Sequence, residues 1–141
     1  MEKPVQRIGL KHGSGGRAMR QLIEDVFLQL ASPVDGVGLA ALDDGAALRI
    51  GDRWLVVTTD SHVVHPIFFP GGDIGRLSVC GTVNDLAMMG ATEPLGLTCA
   101  VVLEDGFPRG DLERSVASMR DAAREAGAPI VTGDTKVVEK G

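Results

Sequence analysis

Residues 73–90, DIGRLSVCGTVNDLAMMG, decide how this chain folds. Asp73 is a good N-cap, because its short carboxylate accepts from the free N–H groups of a first helical turn. Gly90 is a good terminator, since it tolerates the left-handed conformation that closes a helix. Between them the residues are mostly small: Gly75, Ser78, Cys80, Gly81, Thr82 and Ala87. A helix this lean packs its backbone very close to a sheet or a ligand. One carboxylate, Asp85, sits inside it beside Leu86 and Met88. That position is neither turn nor cap, and a charge among apolar neighbours is costly unless something compensates it.

Downstream of this helix, Leu95, Leu97, Cys99, Val101 and Leu103 alternate with period two, which predicts a strand. Its other face (Gly96, Thr98, Ala100, Val102) is small and weakly apolar, so both faces are expected to be covered. Leu112, Val116, Met119, Ala123 and Ala126 form a helical stripe closed by Gly127 and Pro129. Ile130–Thr132 reads as a short strand that Gly133-Asp134 ends.

Upstream, Ala46–Ile50 and Trp54–Thr59 flank the turn signal Gly51-Asp52, which predicts a hairpin. Residues 61–72, SHVVHPIFFPGG, read as a strand end and then a loop. Met19, Leu22, Ile23, Val26, Phe27 and Leu30 recur at helical spacing, for about four turns ended by Pro33. Residues 1–15 are polar and glycine-rich and read as a flexible arm, leaving 16–141 as one domain. The expected fold is α+β, a mixed sheet with helices against one face. Val137 and Val138 begin strand-like sequence that stops at Gly141, which reads as a piece of a longer protein.

Composition removes several function classes. The chain has 141 residues, with 14 basic against 19 acidic side chains and a net charge of −5. Bulk nucleic-acid binding needs clustered Lys and Arg and is not expected. With no Tyr and one Trp, base stacking is not expected either. No apolar stretch approaches the ~20 residues of a membrane span. MEKPVQRIGL has no apolar signal core, and Cys80 and Cys99 form no CxxC pair. Free thiols of a reducing cytosol follow, so a cytoplasmic location is expected.

The candidate chemistry is acidic. Asp43 and Asp44 precede a strand in LDDGAAL, Asp60 ends VVTTD, and Asp134 ends IVTGD. With Asp85 these carboxylates suggest a Mg²⁺–phosphate site, because hard cations take oxygen ligands. The competing reading makes each strand-end aspartate a turn former or cap. Lys136, in GDTK, is placed either for a phosphate oxygen or for Asp134. HGSGG, His12–Gly16, is either a backbone cradle for phosphates or a polar tail. His62 and His65 are spaced so that a strand points them to opposite sides, which disfavours a metal pair. There is no GxSxG elbow, and nucleophilic catalysis is not expected.

The strings KHGSGGRAMRQLIEDVF, DDGAAL, VVTTDSHVV, PIFFPGGDIGRLSVCGTVNDLAMMGA and IVTGDTKVVEKG, in this order, resemble the N-terminal domain of the HypE family of hydrogenase maturation proteins. That family lies within the aminoimidazole ribonucleotide synthetase-like (PurM-like) superfamily. The resemblance implies a domain whose strands form a barrel across a dimer, with ATP and Mg²⁺ in clefts beside it. It implies an ATP-dependent carbamoyl dehydratase that turns a C-terminal S-carbamoyl cysteine into a thiocyanate, the source of the cyanide ligands of [NiFe]-hydrogenase. HypF and the HypC–HypD complex are the implied partners. By position, Asp43, Asp44, Asp60, Asp85 and Asp134 match metal-site positions, with Asp85 and Lys136 catalytic. His12, Gly13, Ser14, Gly15, Gly16, Asn84, Thr135 and Lys136 match ATP-binding positions. His62 and His65 match none. The family's C-terminal domain and Pro-Arg-Ile-Cys tail have no counterpart here, so this chain is expected to be incomplete for turnover. The alternatives are a small-molecule kinase of the thiamine-phosphate type and a non-catalytic dimerisation module.

Overall fold

The structure is a computed structural model and describes residues 7–140. In chain order its elements are α1 (Arg17–Asp25), β1 (Gly36–Val37), β2 (Ala46–Ile50), β3 (Arg53–Val57), β4 (Phe68–Phe69), β5 (Gly72–Asp73), α2 (Ile74–Met88), β6 (Leu97–Glu104), α3 (Arg109–Glu125) and β7 (Ile130–Val138). Single 3-10 turns lie at Leu10–His12, Phe27–Leu30 and Leu39–Ala41.

The class is α+β, but the strands do not share one mixed sheet. They form three ladders: antiparallel β1-β2-β3, antiparallel β4-β5 and parallel β6-β7. The β2–β3 hairpin turns at Gly51, whose φ of +63° suits a residue without Cβ. The β6–β7 ladder is closed by the α3 crossover, since parallel neighbours need a long return.

Asp73 does cap its helix. Its Oδ1 accepts the N–H groups of Gly75 at 2.8 Å and Arg76 at 3.1 Å. Gly90, at φ +84°, follows the C-cap. The core is small and built from small residues: Val79 and Leu86 of α2, Leu97 of β6, Ala122 and Ala123 of α3, and Ala128. The small residues of α2 serve more than one face: a Cβ on Gly75 would strike the Ser115 carbonyl of α3, and one on Gly81 would strike His62. Arg76 and Glu125 pair across the rim of the α2–α3 crossing at 2.9 Å.

Three expectations need correction. Gly133-Asp134 does not end a strand; β7 runs through it from Ile130 to Val138. Gly133 lies so close to the Cys99 carbonyl that a Cβ would collide with it, so this glycine serves strand contact, not a turn. The second face of β6 is not covered, because burial alternates along the strand and Val102 is 67% exposed. The N-terminal helix is also shorter than its stripe suggests. It ends at Asp25, Val26 takes φ −117°, and the chain tightens into the Phe27–Leu30 3-10 turn. None of the residues of α1 is buried, so no packing holds the longer helix together. In the expected arm, residues 1–6 lie outside the described part and Leu10–His12 form a 3-10 turn.

Candidate functional site

The end of β3 meets the C-terminal half of α2, and Thr58 is the joint. Its Oγ1 donates to the Asp44 carbonyl at 2.7 Å and lies 3.4 Å from Asp85 Oδ2. A hydroxyl has one proton, and the shorter contact takes it. Asp85 is half-buried, and among the described residues no basic side chain pairs with it. Gly45 closes the joint, where a Cβ would sit 2.8 Å from the Val57 carbonyl and 3.1 Å from Met89.

Two residues along, Asp60 Oδ1 accepts the Ser61 N–H at 2.7 Å, and its Oδ2 meets His62 Nε2 at 3.1 Å. The His62 side chain is 13% exposed and lies against Gly81. Gly81 precedes Asp85 by one turn on the same face of α2. The β3–α2 edge thus holds Asp85 beside Thr58, with Asp60 and His62 one turn earlier along α2 at Gly81, and Asp44 reaches it through its main-chain carbonyl.

The other positions lie elsewhere. Asp134 and Lys136 sit on β7, ion-paired to each other and exposed. Their ladder shares no hydrogen bonds with the β1-β2-β3 sheet. Thr135 is exposed between them, as are Asp43 before β2 and Asn84 on α2. In the glycine-rich segment, Gly9 N–H donates to His12 Nδ1 at 3.0 Å and Ser14 Oγ donates to the Lys11 carbonyl at 3.1 Å. Gly15 has φ +75°, and Gly13 and Gly16 are exposed. His65 is exposed, whereas His62 is half-buried.

Among the described residues, no three His, Cys, Asp or Glu side chains form a group able to hold a metal ion. That excludes a dedicated protein cage within these residues. A Mg²⁺ ion bound together with a nucleotide would need only one or two carboxylates, taking its other oxygens from phosphate and water. The unpartnered, half-buried Asp85 has the donor chemistry for such an ion.

Asp73 has a different task. Burial raises its pKa, but the Ser118 hydroxyl, the N–H groups of Arg76 and Gly75, and the Arg114 charge together hold it below the usual carboxylate value. Arg114 also lies 3.9 Å over the Phe68 ring. The FFPGGD segment is therefore the seat of the α2 N-terminus.

Sequence reasoning missed Thr58 and set His62 aside. Thr58 lies just past β3, and its contact with Asp85 spans 27 residues, so no local pattern marked it. His62 stands two residues from Asp60, but its seat is a glycine on a distant helix, which no local pattern shows.

The family model for the AIR synthase related protein, N-terminal domain, matches residues 42–141. The chain is 56% identical over 137 residues to carbamoyl dehydratase HypE of Cupriavidus necator, covering 96% of this chain and 38% of that protein. A solved structure of hydrogenase maturation protein HypE in complex with ATP is 53% identical, with a TM-score of 0.61, over 94% of this chain and 38% of that one. A HypE–HypF complex gives 54% identity and a TM-score of 0.72 over 85% and 37%. The chain thus spans about two fifths of the length of the curated relatives it matches.

Proposed function

The chain belongs to the AIR synthase related family, in its N-terminal domain, and from that membership we propose that it is the ATP-binding and dimerisation domain of a hydrogenase maturation protein. The whole protein, on this reading, is an ATP-dependent carbamoyl dehydratase. The observation that carries it is Asp85, a half-buried carboxylate with no cation partner among the described residues. The similarity to a HypE solved with ATP supports the choice of ligand.

The chemistry divides into two steps. The γ-phosphoryl group of ATP passes to the oxygen of an S-carbamoyl cysteine, and ADP leaves. The C–O bond then breaks, phosphate departs, the nitrogen loses its protons, and S–C≡N remains. Such transfers need positioning and charge neutralisation more than covalent help. Asp85, Asp44 and Asp60 are the residues that would hold Mg²⁺ with the phosphates. When bound, that ion neutralises the triphosphate charge. Asp43 and Asp134 complete the proposed acidic set. Asn84 orients the nucleotide, Thr135 and Lys136 contact phosphate, and His12–Gly16 cover it. Lys136 must exchange Asp134 for a phosphate oxygen to do so. The carrier cysteine is neither Cys80, which is fixed on α2, nor Cys99, which lies 3.5 Å from the Met119 sulfur.

A barrel shared between two copies is part of the proposal, supported by the exposed apolar residues of β7 (Ile130, Val131, Val137 and Val138). HypF, and HypC with HypD, are the proposed partners, in the cytoplasm. The solved HypE–HypF complex supports the first of these. No helix among the described residues is long and apolar enough to cross a membrane.

One observation favours a second reading, a dimerisation module without turnover: the exposed apolar residues of β7 serve an interface whether or not nucleotide binds. Thermal-shift titration with MgATP, alongside light scattering, separates the two. A dimer stabilised by MgATP supports the nucleotide-binding reading. A dimer indifferent to millimolar MgATP supports the module.

A further inference from the structure

We propose that His62 is the positioning residue for Asp60, holding that carboxylate in one rotamer at the edge where β3 meets α2. The inference rests on the MgATP reading above and adds a residue that the motif reading left without a role.

Three observations converge. His62 Nε2 lies 3.1 Å from Asp60 Oδ2, and the Ser61 N–H takes Oδ1 at 2.7 Å, so both carboxylate oxygens are engaged. The ring is nearly enclosed, at 13% exposure, while the Asp60 side chain is 37% exposed. The histidine is therefore the fixed member of the pair and the carboxylate the accessible one. The ring's seat is made by Gly81, where any Cβ would run into Nε2 and come within 3.5 Å of Asp60 Oδ2. The pair is thus keyed to the helix that carries Asp85, one turn away.

The physical consequence follows. A lone aspartate at a strand end samples several rotamers, and a ligand must freeze them. A donor behind the carboxylate removes that cost in advance. Groups that orient a metal-binding residue are worth about ten- to a hundredfold in metal affinity. The benefit therefore belongs to metal-bound nucleotide alone and not to nucleotide in general.

The test is calorimetric titration of this chain with MgATP, and separately with ATP in excess EDTA. His62→Ala is expected to weaken MgATP binding about tenfold and to leave ATP–EDTA binding unchanged. His62→Gln, which keeps an N–H donor, restores most of the loss. Gly81→Ala, which unseats the ring, reproduces it. In an Asp60→Asn background, His62→Ala adds nothing further. The proposal is overturned by a His62→Ala chain that binds MgATP like wild type, by equal losses for both nucleotide forms, or by an undiminished effect in Asp60→Asn. If His62→Ala does not fold, His62→Gln and Gly81→Ala decide by the same comparison. Wild-type chain that binds no MgATP rejects the nucleotide reading itself, and this inference with it.

Discussion

Thr58 directs its one hydroxyl proton to the Asp44 carbonyl and leaves Asp85 Oδ2 at 3.4 Å without it. On the proposed reading, that imbalance is what leaves Asp85 free to take a cation. Thr58→Val removes the hydroxyl while keeping the shape, so the Asp44 carbonyl loses its donor. We expect a loss of about 1 kcal/mol in stability, by urea denaturation, and weaker MgATP binding. Asp73 gives a pH signature. Its folded pKa is depressed, so the stability it contributes is present above the ordinary value of 3.8 and is lost as pH falls through the folded value. Asp73→Ala should cost about 1 kcal/mol near neutrality. The gap to wild type should narrow below pH 3.8, as followed by denaturation across pH. At this scale the sequence exposed charge and caps well. Asp85 stood out because its neighbours are apolar, and Asp73 because its place before a helix is chemically plain. Thr58 and His62 did not stand out, since what gives them a role is a contact across 27 residues for one and a glycine seat for the other.

Elements were legible where periodicity was strong and misread where a glycine had two possible uses. The stripe of α3 and the alternation of β6 named their elements directly. Gly133-Asp134 looked like a turn, yet β7 continues through it because Gly133 lies against the Cys99 backbone. Gly133→Ala should therefore separate β7 from β6 locally and lower stability by about 1–3 kcal/mol. Hydrogen exchange should show the loss along Thr132–Lys136. Wild-type exchange in that variant would mean the close approach is not what the glycine serves. The single mixed sheet was an inference from element order alone. Order cannot tell whether the β2–β3 hairpin and the β6–β7 ladder join, and among the described residues they do not.

For the whole molecule, the telling feature is apolar surface that one chain does not bury. Among the described residues the core has six buried apolar residues, the largest of them leucines, while Val137 and, on the opposite face of the same ladder, Val102 are each more than 60% exposed. Exposed apolar groups on β7 (Ile130, Val131, Val137 and Val138) are the candidates for an interaction surface. We expect a dimer by light scattering, and a monomer of unchanged circular dichroism for Val137→Lys. A wild-type monomer would remove the shared barrel from the proposal. The central claim, that carboxylates at the β2–β3–α2 edge hold a metal-bound triphosphate, is tested most directly by thermal unfolding of wild type and Asp85→Ala with saturating MgATP. At a hundredfold excess over Kd, ligand linkage stabilises the folded state by about 2.7 kcal/mol. A rise of several degrees in Tm is expected for wild type and none for Asp85→Ala, each measured against its own Tm without nucleotide. A full rise in Asp85→Ala would contradict the claim.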